Sequence, residues 1–153
     1  MQNTIKRLCG ILLSFFMIIA GTSILAIDNP DAPDYVAEFR ARSKAHESAI
    51  NQEARTTQDY VKAYAAYEGF LDEELNSAYR SLMDRLDEKA LPRLIQSQKN
   101  WLKYRDTEFE FIGTNWRTEN FGSSAVISRG AYRTTLIKDR VILLLHYLKN
   151  YAL

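Results

Sequence analysis

The feature that most constrains this chain is a long apolar stripe at helical spacing in its middle third. Its members recur at steps of three or four, which is the period of one helix face. They are Val61, Tyr64, Leu71, Leu75, Ala78, Leu82 and Leu86, with Glu68 as the one charged member. The pattern predicts a long helix from about Thr57 to Leu91, with Thr56 or Thr57 as its N-cap. Gly69 weakens it by about 1 kcal/mol relative to alanine.

Three further helices are expected from the same kind of pattern. Asp34 is a good N-cap for a first helix that reaches about Ile50, and Pro92 suits the first turn of a third helix at about 93–112. The last helix is expected at about 126–147. The sequence shows no strand pattern and no internal repeat. We therefore predict an all-α fold, a small antiparallel bundle of about four helices in which the second and third form a long central hairpin.

Residues 1–26 have the layout of a secretory signal peptide. Two basic residues precede an apolar core at 11–20, and Ala26 is the expected cleavage position, with Ser23 as the alternative. An uncleaved membrane anchor is the other interpretation, but the apolar run is shorter than the roughly 20 residues that span a bilayer. Cleavage leaves residues 27–153 as a single helical domain, without stable insertion in the membrane.

The composition of the mature chain excludes several classes of protein. Cys9 is the only cysteine and precedes the apolar core, so the mature chain has no disulfide and no lipid-attachment cysteine. Loss of Lys6 and Arg7 leaves 18 basic and 19 acidic side chains. This balance does not suit a nucleic-acid-binding protein.

The charges are nevertheless distributed unevenly along the chain. Residues 72–88 hold six acids and two bases, whereas residues 89–105 hold five bases and no acid. We expect the two segments to pack side by side and neutralise each other. The alternative is an acidic face that binds a basic partner.

No residue pattern indicates catalysis, a metal or a cofactor. His46 and His146 are far apart in the chain, and neither stands at a metal-ligand spacing. There is no Gly-x-Ser-x-Gly elbow and no phosphate-binding glycine loop. Carboxylates cluster at 72–74 and 106–110, but such groups are usually exposed on charge-rich helices. We expect no enzyme, with a carboxylate-dependent hydrolase as the alternative.

Polar side chains occur among the apolar residues of the second and third helices, where they need partners. We expect Arg105 to pair with Asp72 while its stem packs on an aromatic ring. We assign Asn76, Gln98 and Arg140 to the same network. Such a network would fix the helix register, and a ligand-binding role is the alternative.

The loop expected at residues 114–125 is the best candidate for a binding site. Trp116 and Arg117 are of the residue types most enriched at interface hot spots. Asn115 and Ser123 add short polar groups. The alternative is that Trp116 and Phe121 fold back to cover the end of the bundle.

Four motifs in fixed order resemble a known family. They are Asp72-x-x-Leu75-Asn76-x-x-Tyr79-x-x-Leu82, Ser97-Gln98-x-x-Trp101-Leu102-x-Tyr104-Arg105-Asp106, Gly122-Ser123, and Leu136-x-x-Asp139-Arg140. Over residues 57–145 the chain resembles the LprI-type lysozyme inhibitors, formerly a domain of unknown function. The resemblance implies a small exported helical protein of bacteria, periplasmic or secreted, whose partner is a protein.

The resemblance further implies that the partner is a lysozyme-type glycosidase. Lysozyme cleaves its substrate with two carboxylates in a cleft. Our hypothesis is that Arg117, Asn115 or Ser123 engages these carboxylates while Trp116 holds the loop in place. A cell-envelope module that binds another protein or peptidoglycan, without inhibition, is the alternative.

The chain departs from the family pattern in its cysteines. The positions at which relatives carry them hold Tyr64, Phe109 and Tyr132 here. We expect aromatic packing to take the place of the disulfides.

Overall fold

A computed structural model describes residues 32–151, and the expected signal peptide at 1–26 lies outside them. The helices are α1 at Tyr35–Ser48, α2 at Thr57–Met83, α3 at Ala90–Asn115, α4 at Thr118–Phe121 and α5 at Ser124–Lys149. A π-helical turn at Ala49–Glu53 extends α1. No strand occurs within residues 32–151, which confirms the all-α prediction.

Two helix starts have the caps that the sequence predicts. The carboxylate of Asp34 accepts a hydrogen bond from the N–H of Ala37 at 3.0 Å. At the start of α2, Thr56 and Asp59 form a reciprocal capping box, in which each side chain accepts a backbone N–H of the other residue.

Two helix ends differ from the expectation. α2 ends at Met83 rather than near Leu91, because Asp87 accepts the N–H groups of Lys89 and Ala90 at 3.0 and 2.7 Å and so starts a new helix. The segment expected as a loop at 114–125 is largely helical: α3 continues to Asn115, and α4 forms a further turn.

α5 lies at the centre of the fold, where it contacts α1, α2, α3 and α4. Its most extensive contact is with α2, and the two helices run parallel. Glu68 of α2 meets Arg133 of α5, and Arg85, just after α2, meets Tyr151, just after α5. The predicted antiparallel order thus holds between α2 and α3 and between α3 and α5. Two successive reversals leave α5 parallel to α2, and α5 rather than α3 is the main neighbour of α2.

The core lies between α1, α2 and α5. Its fully buried apolar side chains include Phe39, Leu71, Leu82, Ile137, Val141 and Leu144. The predicted stripe is therefore buried from Leu71 to Leu82, whereas Val61 near the start of α2 is exposed and Leu86, beyond its end, is partly buried. Burying such a side chain contributes about 1.5–3 kcal/mol.

A polar cluster joins α1 to α2 and α5. The carboxylate of Glu47 accepts hydrogen bonds from Lys138 at 2.6 Å, from Tyr67 at 3.0 Å and from Ser43 at 3.1 Å. Ser43 and Tyr67 are buried, and their hydroxyls lie 2.8 Å apart. The hydrogen bond from Lys138 is the main cause that lowers the pKa of Glu47. Three helices are thereby held by one charged acceptor.

Gly130 allows α2 and α5 to approach closely. A Cβ atom at position 130 would overlap Cγ of Tyr64, well inside van der Waals contact. The ring of Tyr64 is therefore packed on the bare backbone of α5. Its partial burial raises the pKa of the Tyr64 hydroxyl.

We expect Gly130→Ala to destabilise the fold by about 1–3 kcal/mol, because the Tyr64 ring must leave its position. Gly69→Ala is the matched control, since a Cβ there meets nothing within 4 Å in the interior of α2. That change should stabilise by about 0.5–1 kcal/mol through helix propensity. Urea denaturation measures both. A Gly130 variant as stable as the wild type would show that the two helices are not in this contact.

We also expect the stabilising effect of Glu47 to depend on pH. The lowered pKa means that the contribution is complete above the ordinary value of 4.5 and is lost as the pH falls through the folded-state pKa. The difference in unfolding free energy between the wild type and Glu47→Gln should therefore shrink on acidification. Glu53→Gln, an exposed carboxylate without an ion pair in the described chain, is the control. If the difference in unfolding free energy did not change with pH, the stabilising role assigned to the Glu47 carboxylate would be contradicted.

Candidate functional site

Aromatic and arginine side chains alternate along the face of α3 that meets α5. Trp101, Arg105 and Phe109 follow one another at steps of four on α3, so they share a face. The guanidinium of Arg105 lies 5.7 Å from the ring centroids of both Trp101 and Phe109. α5 adds Arg140 at 5.7 Å from Trp101 and Arg133 at 4.3 Å from Phe109. We call these five side chains the arginine–aromatic row.

Each arginine of the row also has a polar partner. Arg140 donates from Nε to Gln98 Oε1 at 3.0 Å and from Nη2 to Ser97 Oγ at 3.3 Å. Arg133 donates to Glu68 at 2.6 Å. Glu68 is the charged member of the α2 stripe, and this ion pair explains its presence there.

Arg105 has two carboxylate neighbours. Its Nη2 lies 2.7 Å from Asp106 Oδ1, whereas its Nη1 lies 3.8 Å from Asp72 Oδ1. Asp72 is thus adjacent, as we proposed from the sequence, but Asp106 is nearer. Asn76 is exposed on α2 and has no hydrogen bond from its side chain within residues 32–151. The structure therefore separates Asn76 from the other residues assigned to this network.

The two oppositely charged segments share few contacts. Arg105–Asp72 is the only ion pair of the described chain that joins residues 72–88 to residues 89–105. Glu74 pairs with Arg42 of α1 instead, at 2.7 Å. The acidic segment 72–88 and the basic segment 89–105 therefore neutralise each other through one ion pair alone in the described chain. The reason is that α5 rather than α3 lies along α2.

Arg140 and Gln98, which join α5 to α3, are both buried. Arg140 is 8% exposed, and Gln98 is 7% exposed. Burial lowers the pKa of Arg140, but an arginine stays protonated in proteins. A buried charge needs its partners to be present, so these contacts fix how α3 sits on α5.

The four residues assigned to binding lie at one end of α3. Asn115 is its last residue and is exposed, and Arg117 is an exposed residue whose Nε lies 3.4 Å from Glu119. Ser123 is exposed and makes no capping hydrogen bond at the start of α5. Gly122 has a φ of 59°, which a residue with a side chain rarely adopts. The turn at Gly122 leads directly into α5, for which Ser123 is the N-cap residue.

Trp116 is packed rather than free. Its ring lies 4.5 Å from that of Tyr132 and meets Phe111 edge-on at 6.1 Å. Its carbonyl oxygen accepts a hydrogen bond from Arg129 at 2.6 Å. The side chain thus covers the end of the α3–α5 contact, while Arg117 beside it points to solvent.

These rings line both sides of a cleft between α3 and α5, of about 220 Å³. We call it the aromatic cleft. Its lining is Glu108, Phe111, Ile112, Trp116, Tyr132, Thr135, Leu136 and Asp139. Phe111 is 56% exposed and Tyr132 is 50% exposed, although both are large aromatic residues. Exposed aromatic surface of this kind is typical of a binding site.

The sequence analysis missed this cleft and the contacts of Arg133. A signal was available in the spacing, since Glu108, Phe111 and Ile112 share one face of α3. Tyr132, Leu136 and Asp139 share one face of α5 in the same way. What the spacing could not supply was that these two faces meet.

Within residues 32–151, no three His, Cys, Asp or Glu side chains are grouped as metal ligands. None of the described helices is long and apolar enough to cross a membrane. A second cleft, of about 340 Å³, borders the Glu47–Lys138 pair, whose groups already satisfy each other.

The fold and the site define a small helical protein with an exposed aromatic cleft at one end. The family model of the lysozyme inhibitor LprI matches residues 48–144, which is more than half of the chain. The protein therefore belongs to the LprI lysozyme inhibitor family. No curated protein and no solved structure matches it.

We expect Arg140→Lys to destabilise the protein by about 1–3 kcal/mol, because a lysine cannot hold both Gln98 and the Trp101 face, and the buried amide loses its donor. Urea denaturation measures the change. Arg93→Lys, at an exposed position near the other end of α3, is the control and should be neutral within about 0.5 kcal/mol. Equal stability of the two variants would remove the structural role assigned to the row.

Proposed function

We propose that this protein is exported and inhibits a lysozyme-type glycosidase by occupying its active-site cleft. The observation that carries the proposal is the family match over residues 48–144, which runs from the end of α1 into the last turns of α5. The signal-peptide pattern at 1–26 supports export to the periplasm or the medium. Inhibition requires no chemistry from the inhibitor, only a surface that fills the cleft.

The end of α3 supplies such a surface. The side chain of Arg117 is 57% exposed, and Phe121 is 48% exposed. The contact of Arg117 with Glu119 lies in solvent and is worth little. The guanidinium can therefore exchange this partner for another carboxylate at small cost.

The neighbouring contacts hold this surface in place before binding. Trp116 is held by its tilted contact with the ring of Tyr132 and by the hydrogen bond from Arg129. The backbone of the adjacent Arg117 is therefore restrained. A surface ordered in advance loses less conformational entropy when it binds.

The mechanism follows from how lysozyme works. One of its two carboxylates must donate a proton, and the other must face the sugar ring. A guanidinium that reaches them would pair with the ionised group, and the helical end behind it would exclude the substrate. Asn115 and Ser123 are both exposed and would add polar contacts at the rim.

We expect Arg117→Ala to weaken inhibition at least about tenfold, as for a hot-spot residue. The assay is turnover of a peptidoglycan suspension by several lysozyme types, with the purified protein comprising residues 27–153 added in rising amounts. Arg93→Ala is the matched control, an exposed arginine at the other end of α3. Circular dichroism checks that both variants keep the fold.

Two outcomes would contradict parts of this proposal. No inhibition of any lysozyme type by the wild type would reject the function and favour a cell-envelope partner. Inhibition that Arg117→Ala and Trp116→Ala leave unchanged would keep the function but place the contact surface elsewhere.

A further inference from the structure

The aromatic cleft is lined by two carboxylates and no cation. Glu108 lies on the α3 wall, and Asp139 lies on the α5 wall. Neither forms an ion pair in the described part of the chain, whereas Glu47, Glu68 and Glu74 each hold a basic side chain. The cleft thus offers negative charge on both of its walls, beside exposed rings.

We infer that the aromatic cleft binds the guanidinium group of an arginine that the protein partner presents. The inference deepens the proposed function, and only the identity of the partner rests on that proposal. The size of the cleft supports a single side chain as its occupant. About 220 Å³ is below the roughly 300–1,000 Å³ of small-molecule sites.

The rings in the cleft suit a planar cation. Trp116 and Tyr132 lie 4.5 Å apart at 42° to each other, and Phe111 meets Trp116 at 84°. A guanidinium can stack on an aromatic face and at the same time donate several hydrogen bonds in its own plane to carboxylates. An ammonium group has no such plane, so arginine fits this arrangement better than lysine.

The chain uses the same chemistry within itself. In the arginine–aromatic row, Arg105 and Arg133 lie against aromatic rings and are paired with carboxylates. In the aromatic cleft the rings and the carboxylates are present, but within residues 32–151 no guanidinium lies over the rings of Trp116, Tyr132 or Phe111. A partner's arginine would supply the missing guanidinium. The arginine–aromatic row, one turn away along α3, has the same combination of ring, guanidinium and carboxylate within this molecule.

The interface would then contain two charged contacts of opposite sign, one at the cleft and one at Arg117. Arg117 offers a cation to a carboxylate of the partner, and Glu108 with Asp139 offers carboxylates to a cation of the partner. Two charged contacts of opposite sign fix the orientation of two proteins more strictly than one contact does.

The test uses two small probes and the protein comprising residues 27–153. N-acetyl-arginine amide carries the guanidinium, and N-acetyl-citrulline amide is a neutral compound of nearly the same shape. Binding is followed by the NMR signal of the Trp116 indole N–H, assigned with Trp116→Phe. We expect a saturable shift with the arginine probe, weakened by added salt, and binding at least about tenfold weaker with the citrulline probe.

The variants locate the site. The double variant Glu108→Gln/Asp139→Asn lacks both carboxylates of the cleft. It should bind the arginine probe at least about tenfold more weakly. Glu73→Gln/Glu110→Gln is the control, which removes the same charge from exposed positions outside the cleft. No saturable shift, equal binding of the two probes, or equal effects of the two double variants would overturn the inference.

The two proposals fail in different experiments. If the wild type inhibits no lysozyme but binds the arginine probe in the cleft, the proposed function is rejected and the cleft remains an arginine site. If it inhibits lysozyme but shows no charge-dependent binding of the probe, the inference is rejected and the inhibitory function stands. If both hold, Glu108→Gln/Asp139→Asn should also reduce inhibition.

Discussion

The contact between α2 and α5 sets the positions of the other helices. The two run parallel, although they lie far apart in the sequence, and they approach closely because Gly130 leaves room for the ring of Tyr64. α1 is then fastened to both through Glu47, which accepts from Tyr67 of α2 and Lys138 of α5. Gly130 thus allows α2 and α5 to pack closely, and Glu47 joins α1 to both of them, without a disulfide.

α3 is attached to this unit in a different way, by stacked and charge-paired arginines. The ring of Phe109 lies under Arg133. Tyr132 packs on Trp116. That such aromatic contacts take the place of the disulfides of relatives stays a prediction from the resemblance. Aromatic side chains also line the open cleft at the end of α3. The attachment of α3 and the candidate binding site therefore both depend on aromatic and charged side chains.

Sequence patterns located most of the helical segments and several of the polar partners in advance. The α2 stripe and the cap at Asp34 follow from spacing and residue type, which act over a few residues. The expectations that departed from the structure concern longer range. Asn76 is exposed, the segment at 114–125 is mostly helical, and α5 rather than α3 lies along α2. Spacing within one helix does not say which face of another helix it will meet.

By itself, the sequence determined an all-α domain with a buried stripe on α2 and membership of the LprI family. It did so because periodicity, capping and motif order are properties of neighbouring residues. Only the tertiary structure decided that α2 and α5 are parallel, that Glu68 serves Arg133, and that Glu108 and Asp139 face the same cleft. These depend on which apolar faces bury most surface against each other, and that choice is made among helices that are distant in the chain.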